Sequence, residues 1–176
     1  VSTLFGATIC ISCTGNLVPN DKKSGCDPCE SGTYKNGYIC QPCIVGTYSA
    51  TGAIECIDSP AGTWTKQDKP HPDVEYNTSS GFNSCMAGRY STSTKATSSN
   101  TCVKCDMGKF STAIGAGSSD TCNDCAPGKY NPIEGGNLST SCLDCEDGKV
   151  STLFGATICI SCTGNLVPND KKSGCD

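Results

Sequence analysis

Hydrophobic positions in this chain are short and regularly spaced, and they never form the long runs of a conventional core. The recurring pattern is a cysteine doublet, C-x-x-C, then x-x-G-x and one aromatic residue, then a stretch rich in Ser and Thr. Clear copies are CVKCDMGKF (102–110) and CNDCAPGKY (122–130). No helical periodicity is present, and segment 46–56 (GTYSATGAIEC) predicts two short strands around a glycine turn, pinned by a disulfide. We therefore expect a fold of short β-hairpins, turns and coil, with almost no helix.

A long perfect repeat lies on top of this pattern. Residues 1–27 and residues 150–176 are the same letter for letter, at an offset of 149 residues. Self-similarity of this kind is the signature of a repeat array. Either the gene contains a tandem duplication, or the sequence is one period of a regular fibre plus an overlap with the next period. We expect the chain to be a window of a longer secreted array, a solenoid-like elongated rod in which each module contacts mainly its neighbours.

The cysteine doublets divide the 149-residue period into eight modules. Measured from the second cysteine of each doublet, successive modules are between 14 and 26 residues long. Their predicted boundaries are 1–12 (the end of a truncated module), 13–28, 29–42, 43–58, 59–84 (long, without its disulfide), 85–104, 105–124, 125–144, 145–161 and 162–176 (the start of the next period).

The cysteines can be paired by joining the second cysteine of one doublet to the first cysteine of the next. In the long module, Ser59 and Phe82 stand where the two ends of one such bridge would be expected. Losing both ends leaves no free thiol, whereas interlaced pairing would strand Cys43 and Cys102. Because connectivity cannot be deduced from sequence alone, this scheme is a prediction from parsimony. The predicted bridges are Cys13–Cys26, Cys29–Cys40, Cys43–Cys56, Cys85–Cys102, Cys105–Cys122, Cys125–Cys142, Cys145–Cys159 and Cys162–Cys175, with Cys10 joined to the preceding repeat.

The composition explains why bridges are needed. Seventeen of the 176 residues are Cys, whereas Leu, Ile, Val and Phe together make up about 15 %, which is typical of a disulfide scaffold. Each bridge stabilises by roughly 3 kcal/mol, but ordering one residue costs about 1.5 kcal/mol, so apolar packing must contribute as well.

We predict that this packing comes from an aromatic column, which we interpret as core rather than as a ligand-binding stripe. Each ring would stack on a neighbouring disulfide. The glycine two residues before each ring, such as Gly62 or Gly108, is predicted to need positive φ or close backbone approach. The column consists of Tyr34, Tyr48, Trp64, Tyr90, Phe110 and Tyr130, with Val150 in the equivalent place.

Metal and catalytic chemistry have weaker support. The doublet spacing is also that of zinc ribbons, but Ser59 and Phe82 would each leave a four-cysteine site incomplete. The lone His71 lies between two prolines, and no nucleotide-binding or catalytic motif is present, so we predict no enzyme and no cofactor. Calcium binding stays open, although no EF-hand loop supports it; the candidate carboxylates are Asp106, Asp120, Asp124, Asp144 and Asp147.

Charge and modification signals favour a secreted chain. The net charge of −4, with Lys and Arg scattered, argues against nucleic acid, and no apolar run reaches membrane-spanning length. Asn77 and Asn137 begin N-x-[ST] acceptors for N-linked glycans, and the hydroxyl-rich stretch 91–101 could carry O-linked sugars. The loop 65–81 is expected to be the most exposed part.

The pattern C-x-x-C-x-x-G-x-Y-S, as in CQPCIVGTYS (40–49), resembles the ephrin-receptor-like cysteine-rich repeats and, more distantly, tumour-necrosis-factor-receptor modules. Arrays of this kind are also similar to surface antigens of ciliates and other protists. The resemblance covers nearly the whole chain and implies an extracellular, disulfide-bonded rod without implying one ligand. Ser59 and Phe82 depart from the family pattern.

These observations predict a structural component of an extracellular filament, stalk or surface coat, of the flagellar-hair or cell-surface-fibre type. The partner would be the chain itself, by self-association or by end-to-end tandem array. Two strands per module stacked at about 4.8 Å would give a rise of roughly 80 Å per period.

The alternative is the ectodomain of a cell-surface receptor or adhesin that presents loops to a protein or glycan. Many near-identical copies of the period in the gene would favour the fibre. A few copies ahead of a membrane segment and a signalling domain would favour the receptor.

Overall fold

Short β-hairpins make up nearly all of the regular structure. The computed structural model describes residues 12–65 and 82–176. Within these ranges sixteen strands of two to four residues pair two by two, in chain order, into eight two-stranded sheets. The strands are β1 (Leu17–Pro19), β2 (Cys26–Pro28), β3 (Thr33–Asn36), β4 (Ile39–Pro42), β5 (Thr47–Tyr48), β6 (Ile57–Asp58), β7 (Thr63–Trp64), β8 (Asn83–Ser84), β9 (Arg89–Tyr90), β10 (Val103–Lys104), β11 (Lys109–Phe110), β12 (Asn123–Asp124), β13 (Lys129–Tyr130), β14 (Leu143–Asp144), β15 (Lys149–Val150) and β16 (Ile160–Ser161). The small disulfide-rich fold expected from the sequence is confirmed.

Helix is confined, in the described ranges, to three single turns of 3₁₀ geometry: η1 (Ser99–Thr101), η2 (Ser119–Thr121) and η3 (Ser139–Ser141). Each ends directly before the first cysteine of a doublet. The amide of that cysteine donates to the carbonyl three residues earlier, at 2.9 to 3.2 Å, so the turn sets the cysteine at the start of the next strand. None of the helical elements in the described part of the chain is long or apolar enough to cross a membrane.

In six of the eight hairpins, the first strand contains the aromatic residue of one module and the second strand contains the two residues between the two positions of the next doublet. The pairing is antiparallel, with Phe110 opposite Asn123 and, one module later, Tyr130 opposite Leu143. The predicted hairpin within residues 46–56 is therefore only half right, because β5 pairs with β6, which lies beyond Cys56. The turn at Gly52 does not connect the two strands of a hairpin. Instead, the Gly52 amide donates to the Cys29 carbonyl oxygen at 2.7 Å, so this turn contacts a cysteine of the preceding bridge.

The described residues form two units. The first contains residues 12–60, 64–65, 82–83 and 94–98, and the second contains residues 61–63, 84–93 and 99–176. In the second unit, consecutive hairpins touch through isolated parallel β-bridges, such as the one between Phe110 and Gly136. Each hairpin there is therefore linked to the next by main-chain atoms.

The buried interior consists of sulfur and small polar side chains. Among the described residues, the largest fully buried side chains are Val150 and Asn131. Besides the second cysteines of the doublets, the buried column is not the aromatic one favoured by the sequence. The residue that follows six of the seven column positions is buried, whereas the rings themselves are half-buried. This polar column consists of Ser49, Thr65, Ser91, Ser111, Asn131 and Ser151.

Backbone crowding explains why these positions are small and polar. The Ser111 amide donates to the Gly136 carbonyl oxygen at 2.9 Å, and the Ser111 carbonyl oxygen accepts from the Gly88 amide at 2.8 Å. Strands of two neighbouring modules thus meet at Ser111, which is 0 % exposed. Its hydroxyl oxygen also accepts from the Ala113 amide at 3.3 Å, so the buried polar atom is satisfied.

The glycines before the rings have the positive φ that the sequence predicted. At Gly108, φ is +78°, and a Cβ built there would lie 1.9 Å from the Gly155 carbonyl oxygen. Residue 108 must therefore be glycine both for its φ and for the close approach of a main chain from further along the sequence.

We predict that Gly108→Ala destabilises the protein by roughly 3 kcal/mol or more, because a left-handed φ and a backbone clash add together. Gly148 is the matched control, since its φ is +79° but nothing lies within 4 Å of an added Cβ. Gly148→Ala should cost only about 1–2 kcal/mol. Thermal unfolding followed by circular dichroism measures both, and equal losses would contradict the close approach at Gly108.

Candidate functional site

Eight disulfides run through the described residues. They join the same cysteines as the sequential scheme, second of one doublet to first of the next, across 11 to 17 residues, with Cα–Cα distances of 5.4 to 5.8 Å. Cys10 lies outside the described residues. Because the sixteen cysteines in the described ranges are bonded to each other, they offer no thiolate to a zinc ion.

The second cysteine of a doublet is the point where three links meet. Cys105 is 0 % exposed and bonds through sulfur to Cys122. Its amide donates to the Gly88 carbonyl oxygen at 2.9 Å, and its carbonyl oxygen accepts from the Gly135 amide at 2.8 Å. One residue therefore closes its own loop and binds the module before it and the module after it.

Ser59 occupies the equivalent place in the long module and keeps the backbone links without the sulfur. It is 0 % exposed. Its amide donates to the Gly46 carbonyl oxygen at 2.9 Å, and its carbonyl oxygen accepts from the Lys95 amide at 3.0 Å. Its hydroxyl has no hydrogen-bond partner among the described residues. The main chain at Ser59 therefore makes the same kind of backbone hydrogen bonds as a bridged cysteine, without a sulfur bond.

Phe82, at the other end of the absent bridge, makes an aromatic contact instead. Its ring meets the Tyr48 ring edge-on, with centroids 4.9 Å apart and planes at 82°. This is the one ring pair within residues 12–65 and 82–176. A ring contact of this geometry contributes about 0.5–1.5 kcal/mol beyond its buried area, which is less than a disulfide supplies.

The predicted aromatic column lies along the hairpins, one residue per module. Its rings, from Tyr34 to Tyr130, are all half-buried, whereas Val150 is 1 % exposed. Each of Tyr48, Tyr90 and Tyr130 lies across a strand pair from an exposed aliphatic residue. Stacking of these rings on the neighbouring disulfides stays a prediction.

Lysines neutralise three of the five candidate calcium carboxylates. Asp124, Asp144 and Asp147 each lie 2.5 to 3.0 Å from a lysine Nζ. A hydrogen bond from Lys129, together with its charge, lowers the pKa of the Asp144 carboxyl. These pairs are largely exposed and contribute little to stability. Within residues 12–65 and 82–176, no group of three or more His, Cys, Asp or Glu side chains could hold a metal ion.

A lysine–carboxylate contact within one module also shifts two pKa values. The Lys149 Nζ lies 2.7 Å from Glu146 Oε2. That hydrogen bond and the opposite charges lower the pKa of Glu146 and raise the pKa of Lys149. Both groups are therefore charged throughout the physiological pH range.

Two surface recesses in the second unit occupy equivalent places in the repeat. One, of about 370 Å³, is lined by residues that include Tyr90, Asp106, Lys109 and Cys122. The other, of about 200 Å³, is lined by residues that include Tyr130, Glu146, Lys149 and Cys159. Each recess therefore combines four kinds of residue: a tyrosine of the aromatic column, an acidic residue, a lysine and the first cysteine of a doublet. No single motif in the sequence predicted this combination.

The glycosylation acceptor at Asn137 is accessible. Asn137, Leu138 and Ser139 are all exposed, and Ser139 opens η3. Asn77 and His71 lie outside the described residues.

The recurring features of the described chain are links between modules. Comparison with models of known protein families and with curated proteins gave no match. Function is therefore inferred from these links and from the repeat itself.

We predict opposite effects for two serine-to-alanine changes at fully buried positions. Ser59→Ala removes an unpartnered hydroxyl and should raise the free energy of unfolding by up to about 1 kcal/mol. Ser111→Ala leaves the Ala113 amide without its acceptor and should lower that free energy by about 1 kcal/mol. Urea titration under non-reducing conditions measures both free energies of unfolding. If Ser59→Ala lowers the free energy of unfolding as much as Ser111→Ala does, the Ser59 hydroxyl is not unpartnered and the prediction is wrong.

Proposed function

We propose that this chain is a structural component of an extracellular filament, stalk or surface coat, of the flagellar-hair or cell-surface-fibre type, built from tandem 149-residue units. The carrying observation is that one turn in the described part of the repeated segment, residues 20–25 and 169–174, has the same hydrogen bond and the same backbone conformation in both copies. The amides of Asn20 and Asn169 donate to the glycine carbonyl five residues later, at 3.0 and 2.9 Å. The φ angle is +52° at both Lys23 and Lys172.

The second copy of the segment is also joined to the modules before it without a linker. The Gly128 amide donates to the Ser151 carbonyl oxygen, and the Gly155 amide donates to the Cys125 carbonyl oxygen, both at 2.8 Å. The equivalent bonds one module earlier have the same length. The same kind of hydrogen bond therefore joins modules within a period and joins one period to the next. Addition of further units needs no new kind of contact.

The chemistry of the chain suits an exposed load-bearing material. Eight disulfides indicate an oxidising, extracellular or secreted environment. Forty of the 176 residues are Ser or Thr, which supports a hydrated surface. Attachment to a cell surface is part of the proposal.

The test is electron microscopy of secreted chains that contain one, two and four periods. The proposal expects thin particles whose length grows in proportion to the number of periods, by roughly 80 Å each if the strands stack regularly. Reduced and alkylated chains are the control and should lose the regular length. Compact particles whose diameter grows only slowly with chain length would overturn the proposal.

We further propose that the surface is N-glycosylated, and the accessible acceptor gives a direct test. Protein secreted from a eukaryotic host should carry a glycan at Asn137, detected as a mass shift that N-glycosidase removes from the peptide. Asn137→Gln should lack the shift at this peptide while keeping all eight disulfides. An unmodified Asn137 in secreted wild-type protein would contradict the prediction.

The two equivalent recesses favour a second candidate function, a receptor or adhesin that binds a protein or glycan along the array. A tyrosine ring with a carboxylate and an ammonium group beside it can pack against and hydrogen-bond a polar partner. A gene with only a few periods ahead of a membrane segment would favour this function over the filament.

A further inference from the structure

The two surface recesses of the second unit are built on equivalent positions of the repeat. In each, the first residue after the second cysteine of a doublet is acidic and the fourth is a lysine. The first recess contains Asp106 and Lys109, and the second contains Glu146 and Lys149. No other module of the sequence has both residue types at these two positions. The tyrosine that lines each recess comes from the preceding module.

The module between the two recesses has the same turn without the same side chains. Phe110 stands in place of the tyrosine and Ala126 in place of the acidic residue, whereas Lys129 keeps the lysine. The Lys129 amide donates to the Ala126 carbonyl oxygen at 3.0 Å, and the lysine amides of the two recesses donate to their acidic residues at 3.2 and 3.1 Å. Because this turn uses only main-chain atoms, the repeat keeps its fold without the tyrosine hydroxyl and the carboxylate. Both groups are therefore available to a ligand.

Neither recess favours a charged ligand. In the first, the Lys109 Nζ lies 2.6 Å from Asp124 Oδ1, and among the described residues no lysine pairs with Asp106 or Asp120. This excess of negative charge repels phosphate, sulfate and other anions. In the second recess the lysine and the carboxylate neutralise each other at 2.7 Å, so a cation finds no unpaired charge there. A ligand that fits both recesses is therefore neutral.

Each recess combines an apolar face with hydrogen-bonding groups. The rings of Tyr90 and Tyr130 are half-buried, so part of each ring is exposed, and Pro132 and Ile158 widen the apolar surface of the second recess. The carboxylates accept hydrogen bonds, the lysine ammonium donates them, and the tyrosine hydroxyl does both. A sugar ring has the complementary chemistry, with C–H groups on its face and hydroxyl groups around its edge. The volumes of about 370 and 200 Å³ admit single sugar units.

We propose that the two recesses bind neutral sugar residues, so that the chain holds a neutral glycan through several weak contacts at once. At each site the tyrosine ring packs on the C–H face of the sugar, and the carboxylate and the lysine hydrogen-bond its hydroxyl groups. In a tandem array two such sites recur in every 149 residues, and simultaneous binding raises the affinity without any new contact. The proposal rests on the second candidate function and assigns its ligand class, and it does not depend on filament formation.

The module between the recesses supplies loss variants that should fold. Tyr90→Phe with Asp106→Ala, combined with Tyr130→Phe and Glu146→Ala, gives both recesses the residues that this module already has. The exposed ion pair that Glu146→Ala removes contributes little to stability. Glu134→Ala is the matched control, because it removes an exposed carboxylate that lines neither recess.

The same comparison supplies a gain variant. Phe110→Tyr with Ala126→Asp gives the middle module the tyrosine and the acidic residue of the first recess, and it should add a third site. Mass spectrometry without reductant establishes that each variant keeps its disulfides. Because the gain variant removes no contact of the wild type, it tests the proposal even if the loss variant folds poorly.

The experiment is binding of the full chain to a printed array that carries neutral oligosaccharides beside sulfated and uronic-acid ones, followed by titration with the best neutral ligand. The wild type and Glu134→Ala should bind a neutral glycan with equal affinity. The loss variant should bind it about tenfold or more weakly, and the gain variant should bind the array more tightly than the wild type, because the number of simultaneous contacts changes.

Three results would overturn the proposal: a wild type that binds no neutral glycan, a wild type that binds only acidic glycans, or a loss variant that keeps the wild-type affinity. A protein partner that the loss variant releases, and that neutral glycans do not displace, would keep the receptor function and overturn the sugar assignment. Elongated particles that bind no sugar would leave the filament proposal intact, whereas compact particles that bind sugar through these recesses would remove the filament alone. The two proposals therefore fail separately.

Discussion

The structure depends on the disulfide that joins the second cysteine of one doublet to the first cysteine of the next. Within the described residues the interior holds sulfur, hydroxyls and small side chains, and its largest fully buried members are Val150 and Asn131. Burial of so little apolar area cannot offset the entropy of ordering the chain. Covalent closure of short loops lowers that entropy in the unfolded state instead, and each loop then needs only a few backbone hydrogen bonds to stay in place.

Those hydrogen bonds give the protein its continuity. At Cys105 the sulfur bond closes one loop while the backbone amide and carbonyl bind the modules on either side. At Ser59 the same backbone bonds survive although the sulfur bond is gone. Closure of a loop by a disulfide and hydrogen bonding between modules therefore do not depend on each other. A module can lack its bridge and still keep, at Ser59, the backbone hydrogen bonds that a bridged cysteine makes.

Much of the fold could be predicted from the sequence because the bridges are local. Each spans at most 17 residues, so doublet spacing and the paired absence at Ser59 and Phe82 carried enough information to match the cysteines. Strand positions were less predictable. The partner of β5 lies beyond Cys56 rather than beside the Gly52 turn, because the bridge sets the register of the hairpin and leaves the turn free to contact Cys29.

By itself, then, the sequence determined the period, and it correctly predicted the partners of the sixteen described cysteines and the positive φ of the glycine before each ring, since all of these depend on spacing along the chain. Only the tertiary structure decided which column is buried. Ser111 rather than Phe110 lies innermost because main chain from residues 88 and 136 converges there. The Tyr48–Phe82 contact and the recurring recesses depend likewise on residues about thirty positions apart, whose approach no local pattern encodes.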